Sequence, residues 1–375
     1  MKIGIDARFY GPQGKGLGRY TQKLISSLEK IDKQNEYFIL LRRENWHEYK
    51  PSYKNFQKVL ADYRWYTLKE QILLPLKLYS LHLDLMHFTH FNVPMLYFGK
   101  FIVTIHDLIL TKYPTERATT LGPLLYSIKH FSYQRVIKMA VKRARKIIAV
   151  SEHTKQDIMA HFKVPAEKIR VTHEAVDAPT EVQAGFAGKL EALGIHGAYL
   201  LYVGNVYPHK NIEGLLKAFS LLVTRHRDLK LVLVGKDDYF FSRIKDLVKT
   251  MNLQDQVVFT GYVDDNLLAT LYRQASVFVF PSFYEGFGLP PLEALSYGVP
   301  VVSSNSSCLP EILGDAVIYF DPHNINDMAA KISRLLMDKQ KAKELVQNGY
   351  RRLQLFSWQK MARLTLDLYS SLLLN

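Results

Sequence analysis

The chain has 375 residues, more than one hydrophobic core usually organises, and its 48% hydrophobic and 22% charged residues exclude a disordered protein. No run of about 18 apolar residues occurs, which argues against a membrane-spanning helix, and charges within the first eight positions argue against a secretory signal peptide. The formal net charge is +14; residues 1–180 hold 29 Lys and Arg against 16 Asp and Glu, and residues 181–375 hold 20 against 19, so the basicity belongs to the first half. Such a half suits a polyanionic partner, either nucleic acid or an acidic leaflet. The single cysteine, Cys308, cannot form an internal disulfide and reads as an inert small side chain in a reducing cytoplasm.

Along the chain, Ile3-Gly-Ile5 opens a strand, and Gly11 to Gly18 reads as a glycine-rich turn. Arg19 to Leu28 then repeats apolar residues at helical spacing. Further strands are expected at Tyr37–Leu41, Leu85–Phe88, Phe101–Ile105 and Lys146–Val150, and Ser151 reads as the cap of a helix through Phe162. From Tyr133 to Lys146, Arg135, Lys138, Lys142 and Arg145 recur on one helical side, with Val136, Ile137, Ala140 and Ala144 opposite. A basic amphipathic helix of this kind suits a membrane surface as well as an ordinary solvated face. Around 175–197 the pattern weakens into a linker, and a second alternating set follows. Its strands are Tyr199–Val203, Leu229–Val234, Val257–Thr260, Val277–Phe280 and Val299–Val302, with helices such as Ile212–Val223 and Leu267–Gln274 between them. Two alternating sets imply α/β architecture, with two Rossmann-like parallel-sheet domains at 1–180 and 181–357 facing a cleft.

The most informative stretch is Glu285-Gly-Phe-Gly-Leu-Pro-Pro-Leu-Glu293, between the strand ending near Ser282 and a helix that stops before Gly298. Proline suits the first turn of a helix, and a helix N-terminus attracts an anion. Gly286 and Gly288 let the backbone approach that anion, and two flanking carboxylates point to a phosphorylated sugar compound. This spacing resembles the E-x7-E signature of retaining glycosyltransferases of the GT-B fold, family 4 in particular. The resemblance extends through Ala294–Val302, Leu309-Pro-Glu311 and Gly314-Asp315. It implies that Glu285 lies beside the transferred sugar and that Glu293 receives the ribose hydroxyls. Gly286, Phe287, Gly288 and Leu289 then line the donor diphosphate. It also implies that the segment 358–375 is a last helix crossing back to the first domain.

Other segments fit the same resemblance. Val203-Gly-Asn-Val-Tyr-Pro-His-Lys-Asn211 follows a strand and precedes a helix, so Lys210 can neutralise a diphosphate. The resemblance adds Asn205 to the donor site, at a place where, like His209, many members carry Arg. Thr104-Ile-His-Asp-Leu-Ile109 ends a strand, and the resemblance puts His106 beside the transferred sugar, with Asp107 orienting the imidazole or shaping the loop. Gly16 and Gly18 would close over the donor, and His87, His90 and Asn92 would line the acceptor side. His87 and His90 lack a third ligand at metal spacing, so no catalytic metal and no cofactor are expected.

The implied activity is transfer of a hexose from a nucleotide diphosphate sugar to a lipid-linked saccharide acceptor in cell-surface polysaccharide synthesis. Gly204-Asn205 with Pro208-His-Lys-Asn211, and His106-Asp-Leu with Phe91-Asn-Val-Pro94, look most like the mannosyltransferase branch, which uses GDP-mannose. A UDP-sugar donor is the alternative. The expected location is the cytoplasm, peripheral on the inner membrane face. A nucleic-acid-binding module would use the basic half, but no recognised motif or stacking platform accompanies it. An idle scaffold of the same fold is disfavoured by the intact motif residues.

Overall fold

A computed structural model describes residues 1–114, 123–181 and 187–372, and within these the chain forms two compact units. One comprises the chain up to Lys112, the described residues that lead to Glu174, and the terminal segment from Ser357. The other is built chiefly from Ala175–Phe356.

In the first unit, β1 (Lys2–Asp6), β2 (Glu36–Leu41), β3 (Phe56–Leu60), β4 (Leu85–Phe88), β5 (Phe101–Ile105), β6 (Lys146–Ala149) and β7 (Ile169–Val171) form a parallel sheet in the order β3-β2-β1-β4-β5-β6-β7. In the second, β8 (Tyr199–Val203), β9 (Lys230–Val234), β10 (Val257–Gly261), β11 (Val277–Phe280), β12 (Val301–Ser304) and β13 (Ile318–Phe320) follow the order β10-β9-β8-β11-β12-β13. Every pairing is parallel among the described residues, as the alternation of strand and helix requires. Central strands such as Phe101-Ile-Val-Thr-Ile105 and Val277-Phe-Val-Phe280 are buried throughout, because helices cover both faces of each sheet. Strand order reverses between β1 and β4 in one sheet and between β8 and β11 in the other. The loops leaving the carboxyl ends of these paired strands diverge, and such switch points are where open α/β sheets hold ligands.

Two expectations change. Gly11–Gly18 is only half a turn: a short 3-10 segment at Pro12–Gly14 leads into a helix that already begins at Lys15 and runs to Ile31. The helix tolerates Gly18 because a Cβ there would lie 2.0 Å from the Gly11 carbonyl oxygen, so glycine is what lets helix and loop touch. The basic helix spans Pro123–Arg143, which leaves Arg145 outside it and puts Lys146 in β6. Ile137, Ala140 and Val141 are buried, while Arg135, Lys138 and Lys142 face solvent. The strands β3, β7 and β13 and the helix Leu68–Ser80 were not anticipated from the pattern. The expected linker 175–197 includes residues outside those described.

The terminal helix, Trp358–Ser371, starts where Ser357 Oγ accepts the Lys360 amide, and it packs against the helix Lys15–Ile31 of the first unit. Its polar anchor is Tyr369, fully buried, whose hydroxyl lies 2.6 Å from His87 Nδ1. Tyr369→Phe should leave a buried ring nitrogen unpaired and lower the unfolding free energy by about 1–3 kcal/mol in urea denaturation. Wild-type stability in that variant would mean that apolar packing alone holds the helix.

Candidate active site

The second unit brings two distant segments together. β8 and β11 are neighbours, with Val277 opposite Leu200 and Phe278 opposite Leu201, so the loops that follow them emerge side by side. Lys210 from one loop donates to both Glu285 oxygens of the other, at 2.6 and 2.8 Å. The pair is nearly enclosed, with side-chain exposures of 15% and 9%. An ion pair this dry keeps each charge in place, since removing either partner leaves the other buried and uncompensated.

The backbone around the pair is held by further contacts of the same two loops. Asn211 sits in the left-handed region at φ 57°, and its side-chain amide donates to the carbonyls of Pro281 (3.1 Å) and Pro322 (3.0 Å). It thus clamps the Lys210 loop to the end of β11. A Cβ on Gly214 would meet Asn211 Oδ1 at 2.3 Å, so that glycine makes room for the clamp. Phe283 N donates to His209 O at 2.8 Å, and Glu285 N donates to Ser307 Oγ at 2.9 Å. His209 is buried, and desolvation together with the neighbouring Lys210 charge lowers its pKa to about 4.

Helix Leu289–Ser296 opens beyond Gly288, which occupies the left-handed region at φ 90°, where L side chains are strained. Pro290 and Pro291 carry no N–H, so the first turn offers fewer amide donors than a helix start usually does, and the anion-attracting charge falls more heavily on Lys210. Gly286 and Phe287 lie in the loop before it, and Leu289 is its first residue. Glu293 Oε2 accepts the Tyr272 hydroxyl at 3.0 Å. Asn205 Oδ1 and Ser282 Oγ, on the same two loops, are buried without a hydrogen-bond partner. Cys308 is fully buried, and burial plus the Glu285 charge raise its thiol pKa well above the usual value, as an inert role requires.

In the first unit, His106 directly follows β5 and is held on both sides. Its Nε2 lies 3.0 Å from the Thr89 carbonyl, which can only accept, and its Nδ1 lies 3.0 Å from Glu174 Oε1. Tyr20 meets the ring edge-on at 4.7 Å. The orienting carboxylate is therefore Glu174, beyond β7, and not Asp107, whose Oδ1 accepts the Ile109 amide and starts the short helix Ile109–Lys112. No local signal joins His106 to Glu174, which lies 68 residues on.

The acceptor-side residues divide. His87 points into the core between Tyr369 and Thr104, at 2.6 and 2.8 Å, and is fully buried, so it cannot line a pocket. Desolvation, reinforced by the His106 charge, lowers its pKa to about 3. Asn92 is also buried and donates to Glu70 Oε1 at 2.7 Å, within a network around Arg8. Arg8, itself buried, binds Asp6 at 2.7 Å and Glu70 at 2.6 Å. His90 is half-buried between Phe9 and Phe91, and its Nδ1 accepts the Asn92 amide. Gly18 is sealed against carbonyls, whereas a Cβ on Gly16 would meet nothing within 4 Å.

Comparisons with known proteins agree with this architecture. Residues 14–178 match the model for Glycosyltransferase Family 4, and residues 193–352 match that for Glycosyl transferases group 1. The O-antigen chain mannosyltransferase B of Escherichia coli is 35% identical over 245 residues, covering 64% of this chain and 64% of that protein. The O-antigen chain mannosyltransferase RfbU of Salmonella typhimurium is 29% identical, covering 66% and 63%. The chain thus spans just under two thirds of the length of these relatives. Sucrose-phosphate synthase from Thermosynechococcus elongatus superposes with a TM-score of 0.79 over 100% of this chain and 99% of that one, at 23% identity, which shows the shared fold.

The two buried histidines generate an acid-stability prediction. Their folded pKa values, about 3 for His87 and about 4 for His209, lie below the unfolded value near 6.5. The unfolded chain therefore binds protons that the folded chain refuses. Stability should be full above about pH 6.5 and fall as pH drops, by about 1.4 kcal/mol per pH unit for each histidine well below that value. Denaturant melts between these pH limits measure it; a flat profile would contradict neutral buried rings.

Proposed function

From the premise that the chain belongs to glycosyltransferase family 4, with the GT-B fold, we propose that it transfers mannose from GDP-mannose to a saccharide acceptor with retention of configuration. The acceptor is a lipid-linked saccharide of cell-surface polysaccharide synthesis, reached at an anionic membrane face from the cytoplasm. Support for mannose comes from relatives named as O-antigen mannosyltransferases. The observation that carries the reading is the enclosed Lys210–Glu285 pair at the β8/β11 switch point.

In the proposed reaction the bond from the sugar C1 to the β-phosphate oxygen breaks, and the acceptor oxygen bonds to C1 on the same face. The hydroxyl proton passes to the departing phosphate, so charge gathers on the diphosphate in the transition state. The Lys210 ammonium and the amides at the start of helix Leu289–Ser296 stabilise that charge, and fixed positive groups in a water-poor site do this strongly. With this cation in place, no metal or other cofactor is required. Glu285 faces the reacting sugar, and Glu293, fixed by Tyr272, receives the ribose hydroxyls. His106, with both ring nitrogens held by Glu174 and Thr89, is the fixed imidazole of the first unit that the family resemblance assigns to the sugar. Asn205, Gly286, Phe287, Gly288 and Leu289 complete the donor side. His90 and the solvent side of the loop at Asp107 serve the acceptor.

A donor panel with product analysis tests the assignment: GDP-mannose should be consumed in the presence of chelator, and turnover of UDP-sugars alone would refute it. Glu285→Ala should lower kcat by about 100-fold or more with donor affinity changed little, and Glu293→Ala should mainly weaken donor binding. Equal effects of both substitutions on affinity, without loss of kcat, would refute this division of roles.

A further inference from the structure

We propose that Ser307 is a positioning residue for the Glu285 carboxylate, held in a left-handed backbone conformation so that its hydroxyl can grip the Glu285 amide. This rests on the reading that Glu285 faces the reacting sugar, and it adds a residue from a third loop to that site.

The third loop follows β12. Phe278, Val279 and Phe280 of β11 lie opposite Val301, Val302 and Ser303 of β12, so the segments leaving the two strands run side by side. Because β11 stands between β8 and β12, the loop that carries Glu285 is gripped from two sides. On the β8 side, the Asn211 amide donates to Pro281 O, and Phe283 N donates to His209 O. On the β12 side, Ser304 Oγ donates to Ser282 O at 2.6 Å, and Ser307 Oγ accepts the Glu285 amide at 2.9 Å. The first three bonds hold the root of the loop. The Ser307 bond reaches the backbone of Glu285 itself, while Lys210 holds both oxygens at the other end of the same residue. A residue tied at its amide and at its carboxylate has little freedom to turn, and a group facing a reacting carbon gains most from a fixed direction.

The backbone of Ser307 marks this contact as costly. Its φ is 52°, in the left-handed region where an L side chain crowds the following carbonyl and glycine does not. A glycine at this position would make the same turn without strain, and what the serine adds is the hydroxyl. Among the described residues of the second unit, the other non-glycine residues at positive φ are Asn211 and Asn252, and asparagine visits this region more readily than most side chains. Two of these three residues, Asn211 and Ser307, therefore grip the Glu285 loop from opposite sides. Strain of this kind persists where the surroundings over-determine it, and it clusters at sites whose geometry matters to a reaction. A turn with only a structural task would be better served by glycine.

Two substitutions in the full chain separate the strain from the grip. Ser307→Ala keeps the strained backbone and deletes the hydroxyl, and Ser307→Gly deletes both. With GDP-mannose as donor, each should lower kcat by about tenfold or more while the donor KM changes by less than about threefold. Ser307→Gly should nonetheless melt at or above Ser307→Ala, because glycine relieves the strain. Hydrogen exchange read by mass spectrometry, without donor or acceptor, should show residues 282–288 exchanging about tenfold faster in both variants than in the wild type. Three results would overturn the proposal: wild-type kcat in Ser307→Gly, a loss of kcat confined to the less stable Ser307→Ala, or exchange in this loop unchanged in both. If the wild type transfers no sugar, the functional reading falls, and the exchange measurement still decides whether Ser307 holds Glu285.

Discussion

The ion pair between Lys210 and Glu285 is the constraint on which the rest of the second unit depends. Burying two charges is costly, and it is tolerated here because the geometry is bidentate and the flanking backbone is itself held. The parallel order of the sheet puts β8 beside β11, and Asn211 clamps the two loops at their roots. Gly214 and Gly288 are then consequences, one making room for the clamp and the other bending the chain into the helix. In the proposed reaction the arrangement couples two events. A diphosphate that draws on the Lys210 ammonium leaves Glu285 with less compensation, so the carboxylate is available to the sugar when the donor is bound.

The first unit uses the same topology with different chemistry. His106 is fixed by a carbonyl from the end of β4 and by a carboxylate from beyond β7, so three strand ends converge on one imidazole. The buried Arg8 gathers Asp6, Glu70 and, through Glu70, Asn92. This network anchors the inner face of the helix Leu68–Ser80.

Much of this was legible in the chain because the signals were local. Buried parallel strands read as continuous apolar runs, which is why Phe101–Ile105 and Leu85–Phe88 are located to the residue. Ser151 marks its helix because its hydroxyl accepts the Thr154 amide three residues on. Edge strands such as β3 and β7 are short and half-polar, and they blend into loops. The site was readable where motif residues lie on switch-point loops, and unreadable where partners are remote. His87 resembles a site histidine in sequence, but it lies within β4 and faces Tyr369, which is 282 residues away. Glu174 and Asn211 act through contacts that no spacing rule describes. Gly18 shows the converse error: a glycine suited to phosphate approach is needed instead for contact between helix and loop.

The central claim is that Lys210 supplies the positive charge that a departing diphosphate requires. Titration calorimetry of GDP and guanosine against the wild type and Lys210→Met tests it most directly. The account predicts that the wild type prefers GDP by about 100-fold and that Lys210→Met loses most of that preference while keeping its affinity for guanosine. An unchanged preference for GDP in Lys210→Met would contradict it.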